Sequence, residues 1–264
     1  YLLLMLVVVS CQKEETDAIP AYINIDTITL ENGNTTSNIT DAWVYINDQL
    51  QGVYELPAKF PVLEEGIQTL RVRAGIKANG IASNRIYYPF YASYFKDVTF
   101  TPNQSQTRNP TVTYLDSIDI LTEDYNQGTG LDFSETQNSD TTIIINTELG
   151  FGSGILDSSL VTFEIATNEL KNLPQSGSPV FFELDYKSNT KFLIGVFITY
   201  PQSIVQKDLL WVNPKEDWNK IYVNLTSTIS EGINATSFKV FIGMRRDTEL
   251  EKNELHFDNL KVVY

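Results

Sequence analysis

The stretch Ala21-Tyr22-Ile23-Asn24-Ile25-Asp26-Thr27-Ile28-Thr29-Leu30 alternates apolar with polar side chains and is rich in β-branched residues. Period two over that length is the pattern of a strand with one face in a core. Glu31-Asn32-Gly33-Asn34 then supplies turn chemistry, and Trp43-Val44-Tyr45-Ile46 followed by Asn47-Asp48 and Gln51-Gly52 repeats the cycle of strand and turn. Further strands are expected at Phe60 to Leu63, Thr69 to Ala74, Ile86 to Tyr94 and Asp97 to Phe100. No stretch keeps apolar residues at helical spacing for a dozen positions, so this first unit reads as all-β.

Downstream, Thr101 to Pro110 lacks apolar periodicity and reads as a linker, with Thr111 to Tyr114 as a closing strand. Long strand patterns then recur at Thr142 to Asn146, Leu160 to Ile165, Val180 to Tyr186, Phe192 to Tyr200, Leu209 to Val212, Lys220 to Leu225, Ser237 to Met244 and Glu254 to Val263. Only Asn168 to Asn172 competes, as one helical turn. Strands at this spacing, separated by Gly, Pro, Asn and Ser, suit a jelly-roll sandwich. The predicted fold is all-β: two β-sandwich domains, residues 21–110 and 116–264, the second jelly-roll-like.

The chain opens on a run from Tyr1 to Ser10 that carries no charge and ends at the single cysteine, Cys11. The run is half the length that spans a bilayer, and it reads as the apolar core of a cleaved signal peptide, residues 1–10. It starts without a methionine or a basic segment, so a few residues are expected to precede it. Residues 11–20 then form a polar tether. One cysteine leaves no disulfide to stabilise the sandwiches, whose cores must do so alone.

A formal charge of −14 over 264 residues opposes binding to nucleic acid or to anionic lipid, both of which need clustered Lys and Arg. A hydrophobic content of 42%, with 14 Tyr and 14 Phe, is enough to fill more than one core.

Val8-Val9-Ser10-Cys11 resembles the lipobox of bacterial lipoproteins, in which the cysteine is acylated and becomes the mature N-terminus. Gln12-Lys13-Glu14-Glu15 is similar to the surface-export signal of Bacteroidetes-type lipoproteins. These resemblances imply lipidation (palmitate) at Cys11 and attachment to the outer membrane, on its extracellular face. Val44 to Ile76, with its turns at Asn47-Asp48, Gly52 and Glu65-Gly66, resembles the transthyretin-like sandwiches called PEGA domains. Asp217 to Leu225 and His256-Phe257-Asp258-Asn259-Leu260 resemble the late strands of galactose-binding-like carbohydrate-binding modules, which implies the sandwich fold and a sugar-binding function for residues 116–264. Asp26-Thr27-Ile28 and Asp116-Ser117-Ile118 match a short O-glycosylation pattern of the same envelopes.

Catalytic groups are scarce. His256 is the one histidine; alternation places it on one face with Asp258, but no Gly-x-Ser-x-Gly elbow accompanies it. The same scarcity disfavours zinc. Carboxylates are too numerous to single out a glycosidase pair. No catalytic residue is therefore expected and no cofactor is required. A structural calcium ion is a weaker expectation, with Glu123, Asp124 and Asp258 as its ligands by resemblance to jelly rolls that hold one.

Aromatic side chains carry the remaining signal, because a sugar ring stacks on an exposed aromatic while neighbouring polar groups fix its hydroxyls. Trp211, Tyr200 and Tyr186 are the expected ligand-binding rings and Arg245 the polar reader; Trp218 is expected to pack at an edge. The partner is then a glycan or another extracellular polymer. The rival expectation is a protein partner in an outer-membrane complex or adhesive assembly.

Overall fold

A computed structural model describes residues 19–31, 36–125 and 130–264. The expected signal peptide, Cys11 and most of the tether lie outside these residues. The described chain is almost entirely β: 21 strands in five sheets, with one short helix at Thr226–Glu231. No helix among the described residues is long and apolar enough to cross a membrane.

In the first sandwich, Ala58–Val62, Ala21–Ile25 and Ser105–Thr107 form one sheet. Gln49–Glu55, Asp41–Ile46, Gly66–Lys77 and Arg85–Tyr87 form the other, with Tyr94–Phe100 also paired to Gly66–Lys77. The alternation read at residues 21–25 is realised: Ala21, Ile23 and Ile25 are buried against Val44, Phe60, Leu70 and Val72. Asn47 and Asp48 both take positive φ and close a tight hairpin whose backbone twist suits the flanking strands. The expected linker is instead part of this sandwich, because Ser105–Thr107 pairs in parallel with Ala21–Ile25. Its polar side chains hide a contribution made by hydrogen bonding: besides the backbone pairing, Asn109 accepts from the Asp26 backbone at 3.0 Å and the Gln106 amide donates to the Thr99 carbonyl at 3.1 Å.

The second sandwich packs two antiparallel sheets face to face. The back sheet orders Ile144–Asn146, Phe151–Leu156, Asn253–Val263, Phe181–Ser188 and Lys215–Asn224, with Ile120–Glu123 added on Asn253–Val263. The front sheet orders Phe133–Glu135, Thr162–Thr167, Ser237–Arg245, Phe192–Tyr200 and Ser203–Val212. Between them lies a core that includes Phe163, Ile165, Phe182, Leu184, Phe192, Ile194, Val240, Ile242, Leu255 and Phe257. The helical turn expected at residues 168–172 is not formed; Leu170 there makes a β-bridge to Phe238.

The two sandwiches meet over the outer face of the back sheet. Phe181, Tyr222 and Val263 join the core of the first sandwich, against Tyr88, Phe90 and Tyr91. At their centre the fully buried Glu183 accepts hydrogen bonds from the Tyr88 hydroxyl at 2.5 Å and the Tyr114 hydroxyl at 2.9 Å, and pairs with Lys220 at 3.0 Å. Burial opposes ionisation of Glu183, yet Lys220, Lys261 and the Tyr88 hydroxyl outweigh it and hold the carboxyl below the usual range.

Candidate ligand-binding face

The front sheet turns every second side chain away from the core, and these outward residues build the face. Register places Glu164, Gly243, Leu193 and Trp211 in one row across four strands. The neighbouring row holds Ala166, Phe241, Gly195 and Asp208. Phe241 is fully buried on this outer side, tilted at 33° against Phe197 with ring centroids 4.6 Å apart, and gives the face an apolar base.

Gly243 makes the trough. A Cβ there would meet nothing closer than the Glu164 carboxylate at 3.8 Å, so the floor is open at mid-row. Around it lie Glu164, Asn138, Gln206, Asp208, Trp211 and Arg245, enclosing a cleft of about 640 Å³. A second cleft of about 660 Å³ continues from the same Trp211 and Arg245 toward Lys191, Asn213 and Asp247. The two share a wall and form one groove across the end of the sheet.

Trp211 is 50% exposed, with the Lys191 ammonium 5.5 Å from its ring centroid. Glu164 is held in place: one of its oxygens accepts hydrogen bonds from the Thr136 hydroxyl and, at 3.0 Å, from the Asn138 amide. The Gln206 amide donates to Asp208 at 2.8 Å. Carboxylates, amides, a guanidinium and a half-exposed indole are thus displayed together.

The structure brings together two of the four residues singled out from sequence, Trp211 and Arg245. Tyr186 is a correction: it is 3% exposed and packs edge-on against Phe192 inside the core. Its strand is buried on both faces, so alternation cannot separate platform from core there. Tyr200 is a second correction. It lies against the core at the hairpin tip, paired with Ser203, whereas Trp211 pairs with Leu193; seven residues of strand put about 23 Å between those positions.

Trp218 lies on the edge strand Lys215–Asn224 and packs edge-on against Phe151, as expected, yet it stays 46% exposed. Glu164, Asn138, Asp208 and Gly243 were missed. Glu164 had a sequence signal, a charge between Phe163 and Ile165 in a strand pattern.

Of the residues expected to hold calcium, Glu123 accepts a hydrogen bond from the Tyr125 backbone and is pushed up mainly by burial. Asp258 is pushed up to about 6, by burial first and then by the Asp185 and Asp124 carboxylates. Among the described residues no group of three or more His, Cys, Asp or Glu is arranged to hold a metal ion. His256 shares a 2.8 Å hydrogen bond through Nδ1 with Ser153, its cross-strand partner on the back sheet. Burial lowers its pKa. Phe151 packs edge-on against the ring.

No family model matches the chain, and no curated protein matches it. Solved structures similar to part of it include a family 29 carbohydrate-binding module from Piromyces equi, at 10% identity and a TM-score of 0.38 over 56% of this chain and 91% of that one. A family 30 carbohydrate-binding module of a cellulosomal cellulase of Clostridium thermocellum is 14% identical, with a TM-score of 0.38 over 54% of this chain and 90% of that one. A family 29 module complexed with mannohexaose is 8% identical, with a TM-score of 0.36 over 56% of this chain and 91% of that one. The likeness is one of overall shape over about half the chain, and no side chain takes a role from it.

Proposed function

We propose that this chain is a non-catalytic, lipid-anchored binding protein of the outer membrane, facing outward, whose front-sheet groove holds a neutral glycan chain. The observation that carries the reading is the open trough at Gly243 between Trp211 and the ordered Glu164 carboxylate. A pyranose lays its C–H face on the indole, while carboxylates and amides accept and donate to its hydroxyls. Glu164 and Asp208 favour neutral hydroxyls over acidic sugars, whose charge they repel. Lipid on Cys11 supplies retention, residues 12–20 supply reach, and the first sandwich holds the binding domain away from the bilayer.

The test is affinity electrophoresis of residues 19–264 in gels containing mannan, xylan, β-glucan or galactan. One or more polymers should retard the chain. Trp211→Ala and Arg245→Ala should each weaken retardation about tenfold or more, as loss of an anchoring contact does; Tyr200→Ala should leave it unchanged. Equal loss in all three would place the ligand elsewhere.

A further inference from the structure

A second cleft, of about 360 Å³, lies at the seam between the sandwiches, with Trp43, Tyr87 and Pro89 from the first and Phe181, Asn224 and Thr226 from the second. The Asp41–Ile46 strand buries Ala42, Val44 and Ile46 in the core and so turns Trp43 outward toward it. The indole packs over Gly75, where a Cβ would come to 3.0 Å from its Cδ1, and edge-on to Tyr87 at 5.5 Å. Its Nε1–H is buried and has no hydrogen-bond partner.

Arg73 is the cross-strand neighbour of Trp43, and its guanidinium lies 3.3 Å from the centroid of the Tyr87 ring. The other arginines of this sheet are ion-paired, Arg71 with Asp48 and Arg85 with Asp41 and Glu55. Arg73 forms no ion pair among the described residues, and its buried Nε has no hydrogen-bond partner. In a chain of net charge −14 this is an unneutralised cation beside an apolar cleft.

The remaining polar groups have the same sense. The Asn224 side-chain oxygen Oδ1 already accepts from the Thr226 backbone N–H at 2.9 Å, and the Thr226 hydroxyl accepts from the Val180 N–H at 3.1 Å and donates to the Val180 carbonyl at 3.5 Å. What Asn224 keeps free is its N–H₂, while the Tyr87 hydroxyl can donate or accept. A cleft with one buried, unsatisfied donor, the Trp43 Nε1–H, and an unpaired guanidinium over its Tyr87 wall calls for a ligand that brings acceptors and negative charge.

We propose that the seam cleft binds a ring-bearing carboxylate of about monosaccharide size. The ring lies against Trp43, and the carboxylate sits on Arg73 within reach of the indole N–H. The volume falls in the usual range for small-ligand sites, which favour domain boundaries. The site is separate from the Trp211 groove, where Glu164 and Asp208 oppose an acidic ligand. Two sources supply this chemistry: a hexuronate of an acidic polysaccharide, or an aromatic acid.

The test uses the chain carrying Trp211→Phe and Trp218→Phe, in which Trp43 is the sole tryptophan and the groove has lost its platform. Its fluorescence is titrated with sodium glucuronate, sodium galacturonate and sodium benzoate, and with glucose and galactose as neutral counterparts. At least one carboxylate should give a saturable change that the neutral sugars do not. A uronate response assigns an acidic sugar; response to benzoate alone assigns an aromatic acid. Adding Arg73→Gln should weaken binding about tenfold or more, as loss of a charge-assisted pair does, with the unfolding midpoint unchanged. Isothermal titration of the unsubstituted chain with the same probes guards against an effect of the substitutions. Equal response to glucose and glucuronate, no saturation by any carboxylate, or no loss with Arg73→Gln would overturn the proposal.

Discussion

Burial, reinforced by the Asp185 and Asp124 carboxylates, holds the Asp258 carboxyl at about 6 in the folded chain, against about 3.9 when unfolded. The folded chain therefore keeps this proton over a pH range in which the unfolded chain has lost it. The cost of ionising Asp258 is absent below about pH 4 and fully present above about pH 6. Asp258→Asn should raise the thermal midpoint at pH 7.5 and raise it much less at pH 4.5, as scanning calorimetry across that range would record. A gain independent of pH would mean that the carboxylate is not strained by burial. At this scale, the exposure of Trp211 and Arg245 was legible because the first precedes Asn213-Pro214 and the second follows a strand pattern ending at Met244, so both read as strand ends. Tyr200 was misplaced because it stands at the tip of the hairpin whose far end carries Trp211, and residue type alone does not reveal that separation along the paired strands. Gly243 was invisible, since an empty position gains meaning only from the row it interrupts.

Among the elements, Phe181–Ser188 shows how one strand serves two cores. Phe182, Leu184 and Tyr186 face the second sandwich's interior, whereas Phe181 and Glu183 face the first sandwich. A strand covered on both sides reads as a nearly continuous buried run, which is how its sequence behaves. Glu183→Ala would leave Lys220 without its 3.0 Å partner and strand the Tyr88 and Tyr114 hydroxyls. It should cost about 3–5 kcal/mol in chemical denaturation. Tyr88→Phe, which removes one hydroxyl donor and keeps the ring, should cost about 1–2 kcal/mol. Similar losses for both would show that packing, not the ion pair, holds the seam. Strand positions were largely readable from period two and turn residues. Ser105–Thr107 and Phe133–Glu135 were not, because short edge strands contribute backbone pairing with little apolar signal.

For the whole molecule, the proposed N-terminal lipid would hold two sandwiches whose two proposed binding faces have opposite preference, a groove for neutral sugar and a seam cleft for a carboxylate. The proposed lipid anchor depends on Cys11. Cys11→Ser should abolish incorporation of labelled palmitate and move the protein from membrane to soluble fractions; continued labelling would contradict it. The most direct test of the proposed glycan-binding face is Gly243→Val. A side chain added there fills the trough, while the space around the Cβ and a β-branched residue in a strand leave folding undisturbed. Calorimetric titration of the best-retained polysaccharide into the unsubstituted chain and into Gly243→Val should give clear binding in the first and none in the second, with matching unfolding midpoints. Equal binding by both chains would contradict a ligand seated on the front sheet.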